Sequence, residues 1–215
     1  MAFDRTLWEH HAAAFGVLGR LHREPPSDEA LTAIGALLDE WPLPDGPDAA
    51  AGLARLRCSR DAGEDAARVR ADHDRLYGVS AVALVAPYES VHRGEDRLVF
   101  DTATLEVREA YRALGLQAPQ LNLEPDDHIG LELDFMAQAL LRAVGAPDDA
   151  LAEAALAPAR AFLADHLLPW APAVLARVEE AARTDFMAGV ALLTRGALDS
   201  CRSALGLPES DAARR

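Results

Sequence analysis

Four carboxylates and one imidazole fall within the run Glu124-Pro125-Asp126-Asp127-His128-Ile129-Gly130-Leu131-Glu132. Groups of these types can share a divalent cation, move a proton, or take a guanidinium in charge-assisted hydrogen bonds. No H-E-x-x-H spacing is present, so a metal site would need Glu124, Asp127, His128 and Glu132 to converge without a recognised signature. A carboxylate cluster at a helix start, with a hydrogen-bonded histidine, accounts for the same residues. A second stretch, Pro87-Tyr88-Glu89-Ser90, leads an apolar run into a phenol, an acid and a hydroxyl. It reads either as a packed connection or as a loop beside the acidic run, sharing with it a groove that is apolar on one side and acidic on the other.

Other chemistries find no residues. All 21 basic residues are arginine. The absence of lysine excludes a Walker-type phosphate lysine, a Schiff base and a pyridoxal-phosphate anchor. There is no G-x-S-x-G elbow and no G-x-G-x-x-G turn. His10 and His11 are adjacent on a helix and point about 100° apart, so they form no compact site. Cys58 and Cys201 lie far apart in no metal-like spacing and are expected to be reduced, buried thiols. No metal or cofactor is expected.

The elements that must position these groups are helices. Pro125 suits the first helical position, and Asp126 and Asp127 suit the first turn, so a helix is expected to start near Glu124 or Pro125. Along it Ile129, Leu133, Met136, Leu140 and Val144 share one face, with Asp134, Gln138 and Arg142 roughly opposite. Upstream, Asp4 caps a helix to about His22; Ser27 or Asp28 opens a second; a third covers Asp48 to Cys58; and a fourth carries Val69, His73, Leu76 and Tyr77 to Gly78. Residues 79–91 lack helical spacing and read as loop, with Leu98-Val99-Phe100 the only partner for a hairpin. Asp101 or Thr102 starts a helix ending at Gly115. After Gly145-Ala146-Pro147, helices follow from Asp148 to about Leu167 with a break or kink at Pro158, from Pro169, and from Thr184 to Cys201. The expectation is an all-α fold of roughly nine or ten helices in one domain, 1–215, with N-terminal helices over 1–60, the motif-bearing core over 61–206 and a tail over 207–215.

Half of the residues are hydrophobic, enough for a sizeable core, and the formal charge is −14. That charge argues against nucleic acid as a partner. An acidic surface aids solubility and suits a basic partner. Asp4 and Glu9 sit where a secretory signal would carry basic and apolar residues, and the longest apolar run, Val79 to Pro87, is too short to span a bilayer. A cytoplasmic location without membrane insertion is expected.

Taken in order, Asp74-Arg75-Leu76-Tyr77-Gly78, Pro87-Tyr88-Glu89-Ser90-Val91, the Glu124 to Met136 run, and Phe162-Leu163-Ala164-Asp165-His166-Leu167 with Trp170 resemble the TorD/DmsD/NarJ family of molybdoenzyme maturation chaperones. The resemblance runs from about residue 70 to 200. It implies an all-helical, non-enzymatic cytoplasmic chaperone that binds the twin-arginine leader and the apo catalytic subunit of a molybdenum oxidoreductase until its cofactor is inserted. It assigns peptide binding to Glu124, Pro125, Asp127 and His128, with Leu76 and Tyr77 near the groove and Tyr88, Glu89 and Ser90 in the loop element. Tyr77 stands where the family usually has phenylalanine, and His92 where it has an aromatic. A homodimer, including a domain-swapped one, is compatible with the resemblance. A basic leader with an apolar stretch matches a groove of acids beside apolar walls, and replacing Asp127 and His128 by alanine is expected to weaken leader binding without unfolding the chain. The residues alone leave two alternatives: a metal- or nucleotide-dependent enzyme using Glu124, Asp127, His128 and Glu132, and a helical adaptor that ignores leaders.

Overall fold

Short polar side chains mark the helix starts. Asp4, Ser27, Asp65, Asp148 and Thr184 each accept the N–H three residues on, and Asp101 accepts from Thr102. The computed structural model describes residues 3–43, 46–78, 83–94 and 96–209. In chain order they form α1 (Arg5–Arg23), α2 (Asp28–Leu37), a 3-10 turn (Leu38–Glu40), α3 (Pro47–Asp61), α4 (Ala66–Tyr77), α5 (Glu89–Arg93) and α6 (Thr102–Ala113). There follow α7 (Ile129–Val144), α8 (Asp149–Ala155), α9 (Ala157–Phe162), a π turn (Leu163–Leu167), α10 (Leu168–Ala181) and α11 (Asp185–Ala204). The architecture is all-helical, and the ladder pairing among the described residues is a single isolated bridge between Tyr88 and His128.

One continuous apolar cluster joins these helices. α7 supplies much of it, with Leu133, Met136 and Leu140 fully buried and Asp134, Gln138 and Arg142 turned to solvent. It crosses α1 closely because glycines meet there: a Cβ on Gly19 would lie 2.7 Å from the Gly130 carbonyl oxygen, and one on Gly130 would strike the Gly19 carbonyl and Arg23. Gly19→Ala should therefore push the two helices apart and cost roughly 1–2 kcal/mol, as core overpacking does. Urea denaturation of the variant checks this.

α4 is fastened to α11 by Asp72, whose Oδ2 accepts from the Arg183 and Thr184 N–H groups at 2.7 and 2.8 Å and from the Thr184 hydroxyl at 2.9 Å. At Pro158 the rod breaks between α8 and α9, with the proline in the first turn of α9. Pro169 cannot donate to the carbonyl of Asp165 four residues before it, and that oxygen instead accepts from Arg93 at 2.9 Å.

Several expectations need correction. α7 starts at Ile129 with His128 as its cap, so Pro125, Asp126 and Asp127 precede the helix. The side chains of Asp126 and Asp127 bind other parts of the fold, and residues 126 and 127 form a turn before His128 pairs with Tyr88. Glu89–Arg93 is a short helix rather than loop. Leu98, Val99 and Phe100 are exposed turns, with Phe100 at φ 61°, and form no strand. The loop expected over 79–91 falls in part, at 79–82, outside the described residues. Cys201 is buried as expected, but Cys58 is exposed on α3.

Candidate functional site: a two-residue bridge standing on buried acids

The two motif stretches meet. The Glu89 N–H donates to the Asp127 carbonyl at 3.0 Å and the Ile129 N–H donates to the Pro87 carbonyl at 2.8 Å, which pairs Tyr88 with His128 in antiparallel fashion. Their rings stand edge to face, 5.3 Å apart, both half-buried. Glu124 is exposed, and its charge and that of Asp127 add to burial in raising the Tyr88 phenol. Tyr88, His128 and Glu124 are thus what this segment presents to solvent, whereas Pro125 is buried.

Beneath the bridge the acids are occupied. Asp127, with no exposed surface, accepts from the Ser90 N–H and the Thr104 hydroxyl, each at 2.7 Å, and so ties α5 and α6 to the entrance of α7. Asp126 pairs with Arg108 on α6, and its carbonyl accepts from Tyr111 at 3.0 Å. Glu89 is buried between Arg93 and His166, whose Nδ1 lies 3.0 Å from Oε2. Glu132, equally buried, accepts from the Trp170 indole N–H at 3.3 Å; its other oxygen has no partner in the structure. Burial first, then the Glu89 and Asp127 charges, push the Glu132 carboxyl well above its ordinary range.

Leu76 and Tyr77 lie in the core, not on a surface. Tyr77 belongs to a buried polar chain. The Thr194 hydroxyl donates to the Val190 carbonyl at 2.8 Å, so it accepts from His22 Nε2 at 2.9 Å, which leaves Nδ1 to accept from the Tyr77 hydroxyl at 2.8 Å. This gives the phenol a use that a phenylalanine could not fill. Val85 N–H donates to the Leu76 carbonyl at 3.0 Å, so Leu76 and Tyr77 bear on the Tyr88 loop from below.

His22 and His128 are both held down to about 3, mainly by burial; the charges of His128 and then His73 add to it for His22, and those of Arg23 and then His73 for His128. The sign follows directly: an imidazole depressed in the fold takes its proton only in the unfolded chain, so stability present above about pH 6.5 is lost as pH falls toward the folded value. Fully buried His22 should remove about 1.4 kcal/mol per pH unit in that window, and half-buried His128 less, because solvent offsets part of its depression. Denaturant midpoints between about pH 7 and pH 5 measure the slope. His128→Asn, which keeps an N-cap acceptor, should make it shallower.

The structure places Tyr88, Glu89, Ser90, Glu124, Pro125, Asp127 and His128 in one locale, where the 87–90 and 124–129 stretches meet. Arg93, Thr104, Arg108, His166 and Trp170, to which no local pattern in the sequence gives a role, hold the acids. His166 and Trp170 were visible only as the D-H-L-x-x-W element, and their partners lie far away in sequence. Glu124, Asp127, His128 and Glu132 do not converge, and no group of three or more metal-capable side chains occurs among the described residues.

Fold and site together describe an all-helical protein whose buried carboxylates hold chain segments in place. Residues 31–176 match the family model described as nitrate reductase delta subunit, and the chain belongs to that family, which includes the TorD and NarJ chaperones. It is 30% identical over 190 residues to the chaperone protein YcdY of Escherichia coli, covering 86% of this chain and 89% of that one. With the chaperone protein TorD of Photobacterium profundum it shares 34% identity over 100 residues; the chain spans 46% of its own length and about half, 45%, of that relative. A crystal structure described as a candidate redox enzyme maturation protein from Archaeoglobus fulgidus superposes with a TM-score of 0.53 at 19% identity, over 93% of this chain and 96% of that one, which supports the fold. Both of these curated relatives are named chaperones. No helix among the described residues is long and apolar enough to cross a membrane.

Proposed function

We propose that this chaperone acts in the cytoplasm, binding the twin-arginine leader and the apo catalytic subunit of a molybdenum oxidoreductase and keeping it from export until its cofactor is in place. What supports the reading is the Tyr88–His128 bridge with exposed Glu124 beside it, presented by a member of the TorD family. The aromatic edges offer apolar contact to the leader, and Glu124 offers a charge-assisted partner to an arginine. Asp127, Glu89 and Ser90 contribute by fixing the loop, and Leu76, Tyr77 and Pro125 by supporting it. The chain acts as one domain in this reading.

Calorimetric titration with a synthetic twin-arginine leader, and with the same peptide carrying glutamine for both arginines, tests it. Saturable binding weakened about tenfold or more by the substitution is expected, equivalent to about 1.4 kcal/mol. Equal binding of the two peptides would rule out arginine recognition, and no binding of either would rule out the leader as the ligand.

A further inference from the structure

Tyr88 is held from both sides in sequence. Downstream, the Glu89 and Ser90 N–H groups both end on Asp127. Upstream, Pro87 has no N–H to give, and the Ala86 carbonyl accepts from His92 Nε2 at 2.7 Å. A carbonyl only accepts, so Nε2 carries the proton. This bond closes the 86–92 segment on itself with Tyr88 inside the loop, whereas the next tie upstream, from Arg177 to the Leu84 carbonyl at 3.2 Å, is exposed.

His92 is itself held. Its half-buried ring lies nearly parallel to that of Trp170, with centroids 5.5 Å apart and planes 12° apart. Trp170 is buried, and its indole N–H ends on Glu132 in the first turn of α7. His128 caps that same helix. Both halves of the bridge therefore take their position from one helix end, His128 directly and Tyr88 through Ala86, His92, Trp170 and Glu132. The middle of this chain needs a ring that also donates. Phenylalanine at 92 would stack on Trp170 and leave the Ala86 carbonyl untied.

A loop already held in its bound form loses less freedom when the ligand arrives, and binding is tighter for it. We infer that His92 is a positioning residue of this site: by tying Ala86 to Trp170 it holds the Tyr88 ring edge-on to His128, and leader affinity depends on that tie. His92 acts through Tyr88 and does not itself meet the leader. This rests on the leader reading above and deepens it, since it names what sets the geometry of the bridge.

The test pairs His92→Phe, which keeps the stack and removes the donor, with His92→Gln, which returns an amide N–H close to the place of Nε2. In the unliganded chain, proton NMR should show the Tyr88–His128 ring contact in the wild type, lose it in His92→Phe and regain it in His92→Gln. Titration with the twin-arginine leader should follow the same order. Binding should be about three- to tenfold weaker in His92→Phe, the loss of one hydrogen bond, and within about twofold of wild type in His92→Gln. Thermal midpoints should stay close to the wild-type value in both, because the ring is half-buried and its surroundings keep a neighbour. An unchanged ring contact in His92→Phe would overturn the inference, and so would weaker binding that His92→Gln does not restore. Failure of the wild-type chain to bind the leader would overturn the leader reading, and the ring contact in the unliganded chain would then decide alone whether His92 sets the bridge.

Discussion

Asp127→Ala is expected to destabilise the chain by about 2–4 kcal/mol, because it strips two buried donors of their acceptor at once. The Ser90 N–H and the Thr104 hydroxyl each lie 2.7 Å from this carboxylate, which is the acceptor each of them has among the described residues. The charge itself stabilises the start of α5, where Ser90 offers an otherwise unpaired backbone donor. With no exposed surface, Asp127 cannot be the group that meets a leader arginine in this conformation. Leader affinity should still fall in the variant, since the Tyr88 loop is released. The expectation that replacing Asp127 and His128 by alanine weakens leader binding without unfolding the chain thus gives way to one in which stability and affinity fall together. Glu124→Gln separates the two effects: an exposed carboxylate is lost, so affinity should drop while the urea midpoint stays put. Amide exchange at Glu89 and Ser90 reads the loop directly. Unchanged exchange and unchanged stability in Asp127→Ala would show that the acid is no strut.

What could be read from the sequence was local. Asp4, Ser27, Asp101, Asp148 and Thr184 announce helix starts because a cap is formed within three residues. The buried face of α7 is equally plain, since its apolar positions recur at helical spacing. The start of α7 departs from its local pattern for the converse reason. Pro125-Asp126-Asp127 has the composition of a helix's first turn, but the two aspartates have tertiary partners in Arg108, Thr104 and Ser90, and the backbone around them pairs with residues 87–89. A buried ion pair and two charge-assisted hydrogen bonds to other helices outweigh a modest helix-end preference. The same long reach hides the roles of His166 and Trp170. Nothing near them in sequence indicates that they meet Glu89 and Glu132. Leu76 and Tyr77 illustrate the limit of a motif: their pattern locates them near the site, and only burial shows that they act from beneath it.

Glu132→Gln is expected to make the protein more stable at neutral and alkaline pH, by on the order of 2–3 kcal/mol, with no gain in mild acid. Glu132 has one oxygen on the Trp170 indole and the other with no donor, while the Glu89 carboxylate beside it already accepts from Arg93 and His166. Two buried carboxyls in contact cannot both be ionised cheaply, and a proton on Glu132 turns the orphan oxygen into a donor toward Glu89. A carboxyl raised in the fold above its ordinary 4.5 gives stability that is full below that pH and is lost as pH rises toward the folded value. Glutamine keeps the acceptor for Trp170, donates an amide N–H to Glu89 and does not titrate. Its stability curve should therefore be flat where that of the wild-type chain declines, and Glu89→Gln should do the reverse by leaving Arg93 and His166 without their counter-charge. Parallel curves for wild type and Glu132→Gln from acid to alkaline pH would mean that Glu132 is ionised in the fold and that no proton is shared beneath the bridge.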